Sequence, residues 1–506
     1  MNRAVGLLAF DLGAESGRAV LGQLDDDHLE LSEIHRFPNG PVRVLDDLHW
    51  DVLRLWSEMK RGLELCARKA GGELAGIGVD TWGVDFALLG ADGSLLGNPY
   101  HYRHPQTEGM MKEAFRRVSR QEIFERTGIQ FMQINTLYHL LAMAVRNAPA
   151  LEVAHTFLTM PDLFNFWLTG QKVCEFTNAT TTQLYDPREG AWAGPLLEKL
   201  GLPVHILPGI VPPGTVLGPL LPAVTKEAGL GEVPVIAPAC HDTGSAVAAV
   251  PARDRHWAYI SSGTWSLIGV EVAEPLINAQ SLAHNFTNEG GVCGTFRFLK
   301  NVMGLWLVQE CKRVWAQAGD RFSYDDLTQM AARAEPFKAL VDPDCQIFLR
   351  PGDMPARMRT VCRKTGQAVP GDKGNMVRCI LESLALKYRY VLERLEAILG
   401  HEVEIIHIAG GGTRNRLLCQ FTADATQRPV IAGPTEATAT GNIIMQALAL
   451  GHVASLEEGR EIVRRSFKTA TYEPRDADRW DEAYVRFLRV LEQAESLPSV
   501  PVAGSC

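Results

Sequence analysis

A short polar motif, His241-Asp242-Thr243-Gly244, interrupts an apolar stretch near the middle of the chain. The apolar run before it, residues 233–239, predicts a buried strand, the motif predicts a tight turn, and the small residues after it predict a helix. The Asp242 carboxylate would then lie at the carboxyl end of a strand, where open α/β sheets bind ligands, and close to a helix N-terminus, where backbone dipoles stabilise a negative side chain. Taken alone, the pattern fits the common role of a helix N-cap better.

The turn at residues 11–18 has the composition of a phosphate-binding loop. Gly13 and Gly17 allow backbone N–H groups to converge on an anion, and Ser16 adds a hydroxyl donor. Asp11 ends the preceding apolar run, and its carboxylate is a suitable ligand for Mg²⁺. Hairpin turns use glycine for conformational reasons as well, and this turn is neither a Walker A loop nor a G-x-G-x-x-G fingerprint. One such turn therefore does not establish phosphate binding.

Two further turns repeat this chemistry later in the chain. Ser261-Ser262-Gly263-Thr264-Trp265 lies between two apolar runs, as the first turn does, and Gly410-Gly411-Gly412 follows an apolar strand and precedes a helical pattern. Backbone groups at the start of a helix attract anions. Three turns of this kind together predict a clamp around a polyphosphate.

A fourth polar stretch, residues 80–85 with the sequence DTWGVD, is set into a predicted pair of strands. It fits a bulge at a strand end. It also fits a wall for a polyol, in which carboxylates and glycine backbone groups bind hydroxyls while Trp82 stacks or seals. The spacing does not decide between these interpretations.

The chain of 506 residues is too long for one core, so more than one domain is expected. A strand–turn–strand unit opens the chain, a second one covers residues 258–272, and helices and strands follow each. This repetition predicts an α/β fold made of two related halves with a cleft between them. We also expect a helix over residues 302–315 and an irregular connection through the prolines of residues 208–222.

Composition excludes several classes of protein. The formal net charge of −9 argues against a nucleic-acid or anionic-membrane footprint, and no apolar run approaches the roughly 20 residues that a transmembrane helix needs. The 10 cysteines lack metal-ligand spacing, which favours a reduced, cytoplasmic setting. Cys362 and Cys379 could pair, although free thiols are the better expectation there.

Five motifs in this order resemble the FGGY family of carbohydrate kinases: DLG (11–13), DTWGVDF (80–86), HDT (241–243), SSGTWS (261–266) and GGGTRN (410–415). Six further stretches are similar to the branch of that family that acts on L-rhamnulose: residues 34–37, 128–131, 135–138, 177–184, 301–306 and 433–437. The resemblance extends over most of the chain.

The resemblance implies a duplicated actin-like, ribonuclease-H-like α/β fold of two domains, with sugar and ATP in the cleft between them. Residues 1–246 would form the N-terminal domain, which binds the sugar and contributes the phosphate loop and the base, and residues 247–506 the ATP-binding C-terminal domain. The implied reaction is transfer of the γ-phosphoryl group of ATP to the C1 hydroxyl of L-rhamnulose, with Mg²⁺ as cofactor.

The same resemblance implies roles for individual residues. Asp242 is the implied catalytic base, and Asp11 lies where such kinases hold Mg²⁺. The implied sugar-binding residues are Gly83, His241, Asp242, Thr243 and Asn301. The implied ATP-binding residues are Ala14, Glu15, Ser16, Gly17, Arg18, Thr264, Gln309 and Gly411. With these neighbours, catalysis replaces capping as the preferred role of Asp242.

Two departures from the family pattern stand out. Glu15 puts a carboxylate in the proposed phosphate turn, where its charge would repel phosphates, so we expect it to face solvent or Arg18. Related members can carry two cysteines where this chain has Thr422 and Thr426, which excludes a disulfide at that place.

Other functions stay open at this point. The substrate could be another ketose, such as L-fuculose or L-xylulose, since one sequence does not fix hydroxyl stereochemistry. A sugar-binding regulator without turnover and a non-sugar ATPase of the same superfold are the alternatives from other classes. The expected partners are a small sugar and ATP, with no nucleic acid and no membrane, and the expected state is a monomer or homodimer.

Overall fold

A computed structural model describes residues 4–25, 27–70, 73–253 and 256–495, and it divides the chain into two compact units. Unit 1 comprises Met1–Pro251, Glu271–Leu299 and Glu436–Lys468, and unit 2 comprises Ala252–Val270, Lys300–Thr435 and Thr469–Cys506. The chain therefore returns to unit 1 twice after leaving it. The domain division at residues 246 and 247 stays a prediction.

The elements of the first half of the chain, in order, are β1 (Val5–Leu12), β2 (Ser16–Asp25), β3 (His28–Pro38), β4 (Pro41–Val44), β5 (Asp47–Trp50), α1 (Val52–Ala70), β6 (Gly76–Thr81), β7 (Phe86–Leu89), α2 (Met110–Arg117), α3 (Arg120–Thr127), α4 (Thr136–Val145), α5 (Pro149–Glu152), β8 (Thr156–Thr159), α6 (Met160–Thr169), β9 (Cys174–Glu175), α7 (Phe176–Ala179), β10 (Tyr185–Asp186), β11 (Ala191–Trp192), α8 (Gly194–Lys199), β12 (Ile210–Val211), β13 (Thr215–Pro219), α9 (Pro222–Ala228), β14 (Pro234–Ala237) and α10 (Asp242–Ala248).

The second half continues with β15 (Trp257–Ser262), β16 (Trp265–Val272), α11 (Ala279–Ala283), β17 (Thr287–Gly290), β18 (Phe296–Met303), α12 (Trp306–Gln317), α13 (Tyr324–Arg333), α14 (Met354–Lys364), α15 (Lys373–Leu399), β19 (Ile405–Ala409), α16 (Arg416–Thr426), β20 (Val430–Ala432), α17 (Ala437–Ala449), α18 (Leu456–Ser466), β21 (Ala470–Tyr472) and α19 (Ala477–Glu495).

Unit 1 is built on a six-stranded sheet with the order β13-β14-β6-β1-β2-β3. The first hairpin, β1 with β2, is antiparallel, whereas β1 pairs with β6 and β6 with β14 in parallel. Helix α17 packs on β1 and β6, and α1 packs against β2 and β3. The β1–β6 register places Asp11 opposite Asp80. Because cross-strand partners point to the same face of a sheet, these carboxylates are neighbours.

Unit 2 repeats this arrangement of an antiparallel hairpin followed by parallel strands. Its hairpin is β15 with β16, and β15 pairs in parallel with β19, which pairs in parallel with β20. Strand β21 closes the edge by an antiparallel pairing with β20. The expected duplication of a hairpin-led half is therefore confirmed in the architecture of the two units.

The structure corrects two sequence-based predictions. Residues 208–222 are not irregular throughout, because they include β13, which is an edge strand of the unit 1 sheet, and the start of α9. Proline is tolerated on an edge strand and at the first position of a helix, where Pro222 lies. The helix predicted over residues 302–315 begins only at Trp306, since β18 continues to Met303.

None of the helices in the described part of the chain combines the length and the apolar character needed to cross a lipid bilayer. Cys362 and Cys379 are both free and buried, as expected. Thr422 and Thr426 lie buried in α16, where each hydroxyl donates to the backbone carbonyl of the residue four positions earlier.

Candidate active site

Asp242 is the first residue of α10 and follows the strand β14, so the predicted strand and helix are confirmed. The predicted turn is wrong in its position, because residues 242–244 belong to the first turn of the helix. The N-cap position belongs to His241, whose side chain makes no capping bond. Asp242 Oδ1 accepts hydrogen bonds from the Thr243 backbone N–H (2.6 Å) and hydroxyl (3.2 Å), and lies 3.4 Å from His241 Nε2. All these contacts are at Oδ1, so Oδ2 is left without a partner among the described residues.

The Asp242 side chain keeps 29% of its exposure, so a ligand can reach it. Burial raises the pKa of Asp242 above the ordinary 3.8, and the nearby Asp11 charge raises it further. His241 and the hydrogen bonds from Thr243 lower this pKa in part. A carboxylate with a raised pKa is a better proton acceptor than an ordinary one.

Asp11 lies at the carboxyl end of β1 and forms an ion pair with Arg18, whose guanidinium also contacts Glu436. The opposite residue, Asp80, is fully buried, and its Oδ2 accepts a hydrogen bond from Asn442 Nδ2 at 2.6 Å. Burial and the charge of Asp11 raise the pKa of Asp80 well above its ordinary value. Carboxylates from two neighbouring strands are thus concentrated beside a single arginine.

The turn between β1 and β2 is shorter than predicted, because it spans only residues 13–15. Gly13 N–H donates to the carbonyl of Ser16 at 3.0 Å, which closes the turn. Glu15 is exposed in it, consistent with the expectation that it faces solvent or Arg18. Arg18, by contrast, lies on β2, where its ion pairs hold it beside Asp11.

The 80–85 stretch does not form a wall of carboxylates, which is one of the two interpretations that its sequence leaves open. Asp80 and Asp85 are 0% and 2% exposed, and Asp85 Oδ2 accepts hydrogen bonds from the indoles of Trp50 (2.5 Å) and Trp82 (2.8 Å). Burial raises the pKa of Asp85 to about 8. The two carboxylates of this stretch are therefore buried, and its residues that keep some exposure are Gly83 and Val84.

Val84 has a positive φ of 67°, a strained conformation for a β-branched residue. Its N–H donates to Thr181 Oγ1 at 3.0 Å, and its carbonyl accepts from the Thr136 hydroxyl. A Cβ added at Gly83 would lie 3.0 Å from the same Thr181 oxygen. The loop is thus held in a fixed shape against Thr136 and Thr181.

The sequence did not reveal Arg297 and Glu289, whose side chains lie next to the His241 ring. Arg297 is completely buried and donates from Nη2 to His241 Nδ1 at 3.0 Å and from Nε to the Gly290 carbonyl at 2.8 Å. Glu289 Oε2 lies 3.3 Å from both Arg297 Nη2 and His241 Nδ1. The available signal was an arginine inside the apolar run of β18, since a charge in such a run requires a buried partner.

In unit 2, Thr264 lies in the turn between β15 and β16, and Gly411 begins a 3₁₀ turn, Gly411–Arg414, directly after β19 and Gly410. The helix α16 starts only at Arg416, so the glycine loop opens a 3₁₀ turn rather than an α-helix. A Cβ added at Gly412 would lie 2.0 Å from Ser262 Oγ. The two turns predicted to bind nucleotide therefore pack directly against each other.

Asn301 lies on β18 and Gln309 in the first turns of α12. The side-chain oxygen of Gln309 is buried and has no hydrogen-bond partner among the described residues. Unpartnered buried polar atoms are uncommon and call for an explanation, of which a bound ligand is one. Thr264, Asn301, Gln309 and Gly411 all belong to unit 2, whereas the other predicted site residues belong to unit 1.

Comparison with known proteins gives the following similarities. Residues 7–249 match the description "FGGY family of carbohydrate kinases, N-terminal domain", and residues 258–450 match the C-terminal domain of the same family. A protein of Bacteroides thetaiotaomicron called rhamnulokinase is 48% identical over 95% of this chain and 98% of its own length. A protein of the same name from Oceanobacillus iheyensis is 42% identical over 92% of this chain and 97% of its own length.

Solved structures with a similar fold include a gluconate kinase from Lactobacillus acidophilus, with a TM-score of 0.80 and 18% identity over 97% of this chain and 99% of that one. A ligand-bound xylulose kinase from the same organism has a TM-score of 0.79 and 18% identity over 97% and 98% of the two chains. These likenesses confirm the expected two-domain α/β fold.

Proposed function

The chain belongs to the FGGY family of carbohydrate kinases, and from this premise we propose that it transfers the γ-phosphoryl group of ATP to the C1 hydroxyl of L-rhamnulose. The product would be L-rhamnulose 1-phosphate, and the pathway L-rhamnose catabolism. The observation that carries the choice of sugar is the 48% identity, over nearly the whole chain, with a relative called rhamnulokinase. Cytoplasmic location and the monomeric or dimeric state stay predictions.

Asp242 is the proposed base. Its Oδ2 atom, which has no partner in the described chain, would accept the proton of the C1 hydroxyl. The hydroxyl oxygen forms a bond to the γ-phosphorus while the bond from that phosphorus to the bridging oxygen breaks, and ADP leaves with the electron pair. Such transfers depend on positioning and charge stabilisation more than on covalent chemistry. Gly83, His241, Thr243 and Asn301 are the proposed contacts that hold the sugar.

The proposed nucleotide contacts are residues 14–18, Thr264, Gln309 and Gly411. Support for Thr264 and Gly411 comes from the close packing of the turn between β15 and β16 on the glycine loop. The buried, unpartnered oxygen of Gln309 is a second supporting observation.

Magnesium is the proposed cofactor, held by Asp11 together with oxygens of ATP. No group of three or more His, Cys, Asp or Glu side chains suited to a metal occurs among the described residues. Mg²⁺ does not require one, because it usually binds one or two carboxylates plus substrate phosphates and water. The adjacent Asp80 has a buried Oδ1 without a hydrogen-bond partner in the described chain, so a cation fits this concentration of carboxylates. When bound, the ion would neutralise phosphate charge.

An ADP-release assay with L-rhamnulose, L-fuculose and L-xylulose tests the proposed function. We expect ADP release that depends on the sugar, with the highest kcat/KM for L-rhamnulose. A higher value for another ketose would overturn the substrate assignment. Sugar binding without ADP release would indicate a regulator, and ADP release without sugar would indicate an ATPase.

The pH dependence follows from the raised pKa of Asp242. The base acts in its deprotonated form, so kcat/KM for the ketose rises with pH through this pKa and reaches a plateau above it. We therefore expect the acidic limb to lie above pH 3.8, the ordinary carboxyl value. The measurement is kcat/KM for the ketose over the pH range in which the protein stays folded. A limb at or below the ordinary value would contradict the role of burial.

A further inference from the structure

A second carboxylate, that of Glu175, is fully buried next to residues 238–241, the loop that precedes Asp242. It accepts hydrogen bonds from the Thr177 hydroxyl (2.6 Å) and from the backbone N–H groups of Thr177 (2.9 Å), Asn178 (3.2 Å) and Cys240 (3.1 Å). Three of these bonds lie within the segment of residues 175–178. The bond from Cys240, which lies 65 residues later in the sequence, connects Glu175 to residues 238–241, which we call the catalytic loop.

Thr177 continues the connection by one residue. Its hydroxyl donates to Glu175 Oε2 and accepts from the backbone N–H of His241 at 3.0 Å. The N–H groups of the two residues just before Asp242 are thus both held by this Glu175–Thr177 pair. The carbonyl of Cys240 is also held, because it accepts a hydrogen bond from the N–H of Thr81 at 2.9 Å.

The same segment reaches the loop that contains Gly83. Asn178 Nδ2 donates to the Trp82 carbonyl at 3.3 Å, and Thr181 Oγ1 accepts from the Val84 N–H at 3.0 Å. One short buried segment therefore fixes the backbone of both loops that carry the proposed sugar contacts of unit 1.

We propose that Glu175 and Thr177 are positioning residues of the reaction, which set the place and direction of the Asp242 carboxylate through the backbone of residues 240 and 241. The inference rests on the proposed function, since it assumes that Asp242 is the base. Neither side chain contacts the substrate in this scheme. Their effect comes from geometry, because a misplacement of about 1 Å can cost roughly 10²-fold in rate.

The decisive comparison is Thr177→Val against Thr177→Ser. Valine has nearly the shape of threonine but leaves the His241 N–H without an acceptor, whereas serine keeps the hydroxyl. We expect Thr177→Val to lower kcat by about 10- to 100-fold with little change in the KM for ATP, and Thr177→Ser to restore most of the loss.

Thr182→Val is the matched control. The Thr182 hydroxyl is equally buried, donates to the Ala179 carbonyl at 2.6 Å and accepts from the Leu184 N–H at 3.1 Å, but it does not contact the catalytic loop. It should lower stability about as much as Thr177→Val and leave kcat within twofold of the parent. Equal losses of kcat in the two valine variants would overturn the proposal.

Amide hydrogen exchange gives a readout that does not depend on turnover. We expect faster exchange in the peptide that contains residues 240 and 241 in Thr177→Val, and not in Thr182→Val.

If Thr177→Val does not fold, Glu175→Gln replaces it, because its amide nitrogen cannot accept the bonds that one carboxylate oxygen accepts. Unchanged exchange and unchanged kcat in that variant would contradict the proposal. Failure of the parent to phosphorylate any ketose would refute the proposed function. An exchange difference between the two valine variants would in that case still show that Thr177 holds the backbone of residues 240 and 241.

Discussion

Asp242→Asn is expected to lower kcat for the ketose by about 10²- to 10⁴-fold, the range that general-base catalysis contributes. The amide oxygen can keep the bonds that Oδ1 accepts from Thr243, at 2.6 and 3.2 Å, so the start of α10 should be preserved. The amide nitrogen would occupy the place of Oδ2 and cannot take a proton. Binding should survive while turnover is lost. Sugar and ATP affinities measured by calorimetry, together with kcat from ADP release, separate these effects.

Asp325→Asn is the control for this variant. Asp325 is an exposed residue in the first turn of another helix, α13, so the same substitution is made at a similar position in a helix. It should leave kcat and both affinities unchanged. If Asp242→Asn turned over at the rate of the Asp325→Asn control, Asp242 would not be the base.

Among all the proposed variants, Gly441→Ala is expected to lower the free energy of unfolding the most. A Cβ at this position of α17 would lie 1.7 Å from the backbone carbonyl oxygen of Ser245 in α10 and 2.6 Å from its carbonyl carbon. The two helices would have to move apart, and overpacking of this kind costs about 1–3 kcal/mol and occasionally more. Because the obstacle is backbone, we expect a cost of about 3 kcal/mol or more. Ser245 lies three residues after Asp242 on the same helix, so kcat of any folded fraction should fall too.

Gly371→Ala is the matched control, because nothing lies within 4 Å of an added Cβ at this exposed position. Urea denaturation of both variants and the parent measures the difference. Equal midpoints for Gly441→Ala and Gly371→Ala would contradict the close packing of α10 on α17.

Local patterns predicted the elements that carry the proposed chemistry. The two hairpin turns, the glycine loop at Gly410 and the strand–helix junction at Asp242 are each written in a few consecutive residues, so periodicity and turn composition were sufficient. The prediction was wrong where a pattern was ambiguous over a short length. Residues 302–303 extend a strand, and prolines border an edge strand and begin a helix.

Partnerships across the chain could not be predicted in this way. Arg297 contacts His241 across 56 residues of sequence, and Glu175 reaches Cys240 across 65. The composition of residues 80–85 suggested carboxylates for a polyol, but tertiary packing used Asp85 to satisfy two indoles and buried Asp80 beside Asn442. Which of several polar side chains faces a ligand depends on these distant partners, and they are not encoded in spacing.

The return of residues 436–468 to unit 1 has a consequence for synthesis on the ribosome. Helix α17 covers β1 and β6 and packs on α10, so the first sheet and the helix that begins with Asp242 lack one of their covering layers until residue 449 has been translated. Strand β1 ends at Leu12 and α17 begins at Ala437, so more than 400 residues separate them. Apolar surface without its distant partner is exposed to aggregation, and such long-range contacts slow folding. Unit 1 is encoded first, yet its core can be completed only when most of unit 2 has already emerged.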